Sequence, residues 1–269
     1  MPELPEVETT KNGLLPLLKN QVVSQAIRHR DNLRWEIPPH LNTTLAEQTI
    51  LDIDRRGKYL LIRFDVGTLI IHLGMSGSIR VVDTDASLKK HDHFELQLTN
   101  HQSMRLNDPR RFGAVLFSYD GSHPLLDSLG VEPLATSFDD DYLYTKSRNK
   151  QQNIKAFIMD SKVVVGVGNI YACESLFVSG IDPQRKAGSV SKKRYKALTQ
   201  NIKHILAQSI KAGGTTLQDF SQVDGSPGYF AQTLRVYGRE TEQCNTCSGK
   251  ISRIIQNQRS TFYCKQCQT

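Results

Sequence analysis

The sequence predicts an α+β chain of more than one domain: an N-terminal antiparallel β-sandwich with flanking helices, then a helical domain, then a short C-terminal β-hairpin carrying cysteines. Three observations predict it. Short β-rich runs without intervening helices fill about residues 21–119, a helical pattern fills about 134–220, and two CxxC pairs crowd into the last 26 residues. A chain of 269 residues with 38% apolar composition has room for two or three modest cores.

The first element is a helix after Pro5. Val7, Leu14, Leu15 and Leu18 recur at helical spacing, and Glu6 and Glu8 in the first turn suit the positive end of the helix dipole. The runs VVSQAI, KYLLIRF, TLIIHL, SIRVV, HFELQL and AVLF follow, broken by turn signals such as RRG, DVG and LTNHQ, which is the rhythm of an antiparallel sandwich. The clearest later helix has Ser189 and Ser191 as capping candidates and carries Leu198, Ile202, Ile205, Leu206 and Ile210 on one stripe. It stops at Gly213-Gly214. A polar, glycine-bearing loop, QVDGSPG, leads into the tail, and no internal repeat or low-complexity tract is visible.

Lys and Arg outnumber Asp and Glu by 34 to 27, a formal charge of +7 with a pI near 9.1, which leans towards a polyanionic partner. No stretch approaches the ~18 apolar residues of a membrane helix, and MPELPEVE carries three glutamates where a secretory signal would be basic. The expectation is a cytoplasmic protein with no membrane contact.

Of five cysteines, Cys244, Cys247, Cys264 and Cys267 form C-x2-C, sixteen residues, C-x2-C. In a reducing compartment this spacing reads as four thiolates around one tetrahedral Zn2+ at the ends of a hairpin. Four cysteines leave no open coordination position, so the zinc is expected to be structural. From Ala231 onward six basic residues face two acidic ones, a surplus suited to phosphate contact or to an ordinary solvated face. Cys173 stands alone and reads as a small buried side chain.

Pro2 follows the initiator Met1, and a small second residue favours methionine removal, which would leave a secondary amine at the chain start. An α-amino group titrates near ~7.7–8.0, so a useful fraction is unprotonated at neutral pH. A secondary amine that condenses with an aldehyde carbon gives an iminium with no nitrogen proton to lose, so its charge persists and acidifies the adjacent C–H. Taken alone, Pro-Glu would be an ordinary start sequence.

MPELPEVET, RRGKYLL (55–61), HLGMSGS (72–78), DPRRFG (108–113), VVGVGNIYACESLF (164–177), GGTTLQDF (213–220), DGSPGYFAQTLRVYGR (224–239) and QRSTFYC (258–264) stand in order along the whole chain. This series resembles the formamidopyrimidine-DNA glycosylases. The resemblance implies a catalytic β-sandwich at about 1–133, a helix-two-turn-helix DNA-binding domain at 134–224 and a zinc-finger DNA-binding domain at 225–269. It further implies damaged double-stranded DNA as partner, no small-molecule cofactor, and a monomer. The implied activity is base excision repair: removal of 8-oxoguanine and formamidopyrimidines through a Schiff base to the N-terminal proline, then strand cleavage by β,δ-elimination.

On that resemblance Pro2 is the nucleophile at C1′ and Glu3 the acid that protonates the deoxyribose ring oxygen. Lys58 is the lysine beside the lesion phosphate, and Lys58 and Arg259 are the proton donors in the eliminations. Met75, Arg110 and Phe112 fill the space of the everted nucleotide, with Arg110 bonding the orphaned base, preferably cytosine. His91, Arg110, Lys155, Asn169 and Arg259 contact DNA, with Asn169 and Arg259 as phosphate clamps, Gly166 and Gly168 allowing backbone approach, and Lys155 linked to handling the oxidised purine. Residues 219–229 match a loop that caps the base. Glu6 either orders Pro2 or answers the helix dipole. Lys11-Asn12-Gly13, where paired arginines are commoner, departs from the family on the solvent face of the first helix.

Two other readings are separable. The sister branch, endonuclease VIII, shares the proline chemistry but prefers oxidised pyrimidines; PELPEV and the Met75, Arg110, Phe112 set favour the purine branch. A non-catalytic DNA binder on this scaffold would show salt-sensitive binding and no chemistry.

Overall fold

The computed structural model describes residues 2–215, 223 and 230–269, which fall into two compact units: Met1–Asp127 with Ala212–Ala231, and Ser128–Lys211 with Gln232–Thr269.

The first unit opens with helix α1 (Leu4–Leu18), capped by Glu3, with Pro5 in its first turn and Val7, Leu14 and Leu18 fully buried. Strand β1 (Val23–Arg28) and the short helix α2 (Leu41–Leu45) lead into a meander of β2 (Asp52–Arg56), β3 (Tyr59–Phe64) and β4 (Gly67–His72). Then come β5 (Ser78–Asp83), β6 (Asp92–Leu98), β7 (Gln102–Asn107), β8 (Ala114–Ser118) and the single-turn α3 (Pro124–Asp127).

The strands form two antiparallel four-stranded sheets, ordered β1-β6-β7-β5 and β2-β3-β4-β8. Leu60, Ile62, Leu69 and Ile71 of one sheet share a core with Ile79, Phe94, Leu96, Met104 and Leu106 of the other, and α1 adds Val7, Leu14 and Leu18. Each such side chain contributes ~1.5–3 kcal/mol on leaving water, so this layer holds the sandwich closed. Two strands lie where the sequence reads as turn or polar text. In β7, Arg105 is buried opposite Glu95, its Nε 2.9 Å from Glu95 Oε1. In the edge strand β2 only Ile53 is buried.

The second unit contains α4 (Tyr142–Ser147), α5 (Ile154–Met159), α6 (Asn169–Val178) and α7 (Lys192–Lys211). Helix α7 buries Leu198, Ile202, Ile205 and Leu206, as its stripe predicts, and Ser191 Oγ accepts from the Arg194 N–H at 3.4 Å. The unit ends in the hairpin β9 (Ile251–Gln256) and β10 (Arg259–Cys264), closed by Asn257-Gln258 with φ of 48° and 60°. Two positive φ values in succession mark a type I′ turn, whose twist matches paired strands. Val236, Ile251, Phe262, Cys173, Cys244 and Cys264 form one apolar cluster, so Cys173 is the buried side chain its context predicts.

Candidate active site and metal centre

Pro2 and Glu3 are both buried at the start of α1. Glu3 and Glu6 form a capping box, in which the Glu3 N–H donates to Glu6 Oε2 at 2.8 Å. The other Glu6 oxygen accepts the Thr215 N–H, also at 2.8 Å. Glu6 is thus an anchor: one buried carboxylate ties the backbone beside Pro2 to the chain entering residues 216–229. Of the two roles left open by the sequence, the geometry favours ordering the N-terminus. The segment expected to cap the base, 219–229, lies outside the described residues apart from Val223.

In Glu6→Gln the side-chain NH2 would oppose one of these two backbone N–H donors. A buried donor left unpaired costs ~1–3 kcal/mol, so urea unfolding should show that loss, with excision falling alongside it. Unchanged unfolding would remove the anchor.

Lys58 is half-buried in the turn between β2 and β3, a hairpin held to α1 by Arg55, whose Nε lies 2.6 Å from Glu8 Oε2. Lys11 joins the same carboxylate at 3.0 Å and is only partly exposed, so the helix face that departs from the family is not simply solvent-facing. Burial raises the Glu8 carboxyl, but Arg55 and Lys11 outweigh it and hold it below the usual range. His72 ends β4. Burial, then the charges of Lys58 and Arg34, hold its imidazole down to about 4, so it is neutral at physiological pH and its Nδ1 accepts the Gly74 N–H at 3.0 Å.

Met75, half-buried, occupies the turn between β4 and β5. Arg110 and Phe112 lie on the loop between β7 and β8; both are exposed, Phe112 by 46%, with the Arg110 guanidinium 5.2 Å from the Phe112 ring. A phenylalanine in the core would be inaccessible to DNA; this one is not. The structure sets the turn directly against the loop, since a Cβ on Gly74 would fall 2.4 Å from Gly113 N. His91 precedes β6 with φ of 106°, a strained conformation for a non-glycine residue, and its carbonyl accepts the Asp108 N–H at 3.0 Å.

In the second unit Asn169 opens α6, and its Nδ2 donates to Ser260 O at 2.9 Å. Gly166 has φ of 80°, which favours glycine, whereas Gly168 is the extended N-cap. Lys155 is 2% exposed; its Nζ donates to Ser260 O at 3.1 Å and to Thr261 Oγ1 at 2.6 Å. Two side chains from the helices therefore grip the backbone next to Arg259, which is exposed at the start of β10 and lines a cavity of about 160 Å³ with Lys155 and Gln256.

The sulfurs of Cys244, Cys247, Cys264 and Cys267 all lie within 4.8 Å of one another, with Cys244–Cys267 at 3.9 Å and Cys247–Cys264 at 3.4 Å. Zn–S bonds of ~2.3 Å in a tetrahedron place sulfurs ~3.8 Å apart, so the residues fit the ion. Burial raises the Cys244 thiol, but the Thr246 and Cys247 N–H groups and adjacent thiols outweigh it and bring it to about 7. Cys267 is raised by the Cys247 thiol and by burial. Four thiolates at this spacing need a cation, and a structural zinc answers that need.

The sequence reading passed over Asp108, Ser76 and His72, although all three lie inside the quoted motifs. A charged Asp and a His between strand residues and glycines were the available signal.

Residues 1–115 match the Formamidopyrimidine-DNA glycosylase N-terminal domain, residues 129–221 the Formamidopyrimidine-DNA glycosylase H2TH domain, and residues 242–269 the zinc finger found in FPG and IleRS. The chain is 72% identical to the formamidopyrimidine-DNA glycosylase of Vesicomyosocius okutanii subsp. Calyptogena okutanii, over the full length of both. Among solved structures it resembles the MutM (Fpg) protein of Thermus thermophilus, with 36% identity, a TM-score of 0.90, and 99% and 98% of the two chains covered. It also resembles wild-type Lactococcus lactis Fpg in complex with an N7-benzyl-Fapy-dG containing DNA, with 32% identity, a TM-score of 0.92 and full coverage of both chains. With its sandwich, its helix-two-turn-helix region and its four-cysteine hairpin, the chain belongs to the formamidopyrimidine-DNA glycosylase family.

Proposed function

We propose that this chain is a bifunctional DNA glycosylase and AP lyase of base excision repair, which removes 8-oxoguanine and formamidopyrimidines from duplex DNA. The observation that carries this reading is the buried Pro2-Glu3 pair at the tip of α1, held by the Glu6 carboxylate, in a chain of this family. The Lactococcus lactis relative on formamidopyrimidine DNA supports the substrate class.

In this mechanism the Pro2 nitrogen, freed of Met1, attacks C1′ of the everted nucleotide while Glu3 delivers a proton to the ring oxygen. The ring opens to an aminal, the proton shed by the Pro2 nitrogen passes to the departing base, and the C1′–N bond breaks to leave an iminium on Pro2. The positive nitrogen draws electrons from C2′; loss of a C2′ proton expels the 3′ phosphate, and a second elimination expels the 5′ phosphate, with Lys58 and Arg259 as proton donors. Met75, Arg110 and Phe112 occupy the vacated stack, Asn169 and Arg259 hold phosphates, and His91 contacts the DNA. The buried Lys155 acts through the hairpin backbone it grips. When bound, the zinc supplies structure alone, closing the hairpin that presents Arg259.

The same reading divides the chain into a catalytic domain at 1–133, a helix-two-turn-helix domain at 134–224 and a zinc finger at 225–269. It places a monomer in the cytoplasm; no described helix is long and apolar enough to cross a membrane. Excision from 8-oxoguanine opposite cytosine should exceed that from thymine glycol opposite adenine by at least ~10-fold, the scale of one strong discriminating contact. A preference for thymine glycol would move the chain to the pyrimidine branch.

A further inference from the structure

We propose that Asp108 is the positioning residue that makes the base-replacing wedge one pre-ordered part and so sets how the protein discriminates the base opposite a lesion. The inference rests on the reading of Met75, Arg110 and Phe112 as void-filling residues.

Asp108 is fully buried, and every polar group it has is engaged with a segment that presents a DNA contact. Its Oδ1 accepts the Ser76 hydroxyl at 3.1 Å, beside Met75, and its Oδ2 accepts the Gly113 N–H at 2.7 Å, beside Phe112. Ser76 Oγ in turn accepts the Arg110 N–H at 3.3 Å. The Asp108 N–H donates to the His91 carbonyl at 3.0 Å, and its own carbonyl accepts the Arg111 N–H at 3.2 Å and faces His93 Nε2 at 3.1 Å. One residue thus joins the Met75 turn, the 108–113 loop and the strained His91.

The fit leaves no slack. A Cβ on Gly113 would lie 2.9 Å from Asp108 Oδ2 and 2.8 Å from His72 O, and one on Gly74, where φ is 64°, would strike the backbone of Phe112 and Gly113 at 2.4 Å. The backbones are locked together while Arg110 and Phe112 project into solvent. An exposed wedge on a loose loop would have to be ordered at each insertion; one anchored from beneath is ordered beforehand.

The anchor needs a carboxylate rather than an amide, because donors face both oxygens. In Asp108→Asn the NH2 either opposes the Gly113 N–H, or faces Ser76, whose hydroxyl must then accept from both Asn and Arg110 and strand its own proton. Either way a buried donor is unpaired. The main-chain bonds of residue 108 are untouched, so this substitution isolates the clamp.

The test uses full-length chains starting at Pro2: wild type, Asp108→Asn, Ser76→Ala, Phe112→Ala and the Asp108→Asn/Phe112→Ala double variant. Single-turnover excision of 8-oxoguanine is measured opposite cytosine and opposite adenine. Borohydride trapping on a single-stranded abasic oligonucleotide, which has no opposite base and no stack to fill, gives the reference.

Asp108→Asn should lower duplex excision ~10–100-fold, the equivalent of one stranded buried donor, and pull the cytosine-to-adenine ratio towards one. Single-stranded trapping should stay within about twofold, and the double variant should be no worse than the poorer single, since both act on one part. Normal duplex excision and discrimination by Asp108→Asn, with Phe112→Ala impaired, would overturn the inference and leave the wedge reading standing. Normal duplex excision by Phe112→Ala would overturn both. Equal losses on duplex and single strand would reduce Asp108 to general scaffolding and also overturn it. Where Asp108→Asn does not fold, Ser76→Ala decides, with the same pattern expected and the same outcomes counting against it.

Discussion

Protein that begins at Pro2 should become covalently attached to duplex carrying 8-oxoguanine when borohydride is present, and Glu3→Gln should remove base excision by ~10²–10⁴-fold, the range of one general acid. The trapped bond is the iminium carbon reduced by hydride, so it reports the amine directly and needs no assumption about the later eliminations. Pro2→Gly should lose most of the adduct, because a primary amine gives an imine that can shed its proton and its charge. Glu3→Gln should still trap a preformed abasic site better than intact lesion DNA, since the base is already gone and the ring opens without that acid. The first residue of each preparation is checked by mass, because a retained Met1 turns the amine into an amide. Normal excision by Glu3→Gln would end the acid assignment. A processed wild-type chain that never cross-links would end the proline mechanism.

Stripping the zinc should abolish the hairpin and cost most of the DNA affinity while the sandwich stays folded. Structural zinc contributes ~10–16 kcal/mol of apparent binding free energy in small ribbons, more than a six-residue strand pair can replace by packing. Cys244 and Cys264 lie inside the apolar cluster with Val236, Ile251 and Phe262, so opening the site exposes that cluster too. The core of the sandwich draws on none of these residues. Hydrogen exchange after chelation should show amides of 251–264 losing protection and those of β3, β4 and β6 keeping it. On the proposed role of Arg259 as a phosphate clamp, binding to lesion duplex at fixed salt should fall by at least ~10-fold. Full affinity in protein verified to be metal-free would remove the hairpin from the binding surface. Cys264→Ser should reproduce the chelated state.

The parts of the fold that announce themselves in the sequence are those where burial and pattern agree. Helix α7 has an apolar stripe and a serine cap, and the paired CxxC motifs have one sensible ligand geometry. Strand β7 escaped because its inward Arg105 is neutralised by a partner, Glu95, ten residues away on a strand not yet known to be adjacent. Strand β2 escaped because an edge strand can be mostly polar and bury one Ile53. At the site, motif agreement named Pro2, Glu3, Lys58 and the proposed wedge residues as candidates. What it could not supply was the wiring, since Glu6 reaches Thr215 across 209 positions of sequence. Lys155 shows the same limit: the motif names the lysine, and only the fold shows its ammonium donating to Ser260 O and Thr261 Oγ1.

The first unit is discontinuous, since it takes in residues 212–231 only after the chain has built 128–211 elsewhere. On a ribosome adding ~5–20 residues per second, Glu6 therefore waits on the order of 10–40 s for the amide of Thr215 to be made. Until then the nascent sandwich carries an N-terminal end whose Glu6 carboxylate lacks its Thr215 contact. The buried start of α1 is thus completed late in synthesis, when the helices that precede Thr215 have already been made.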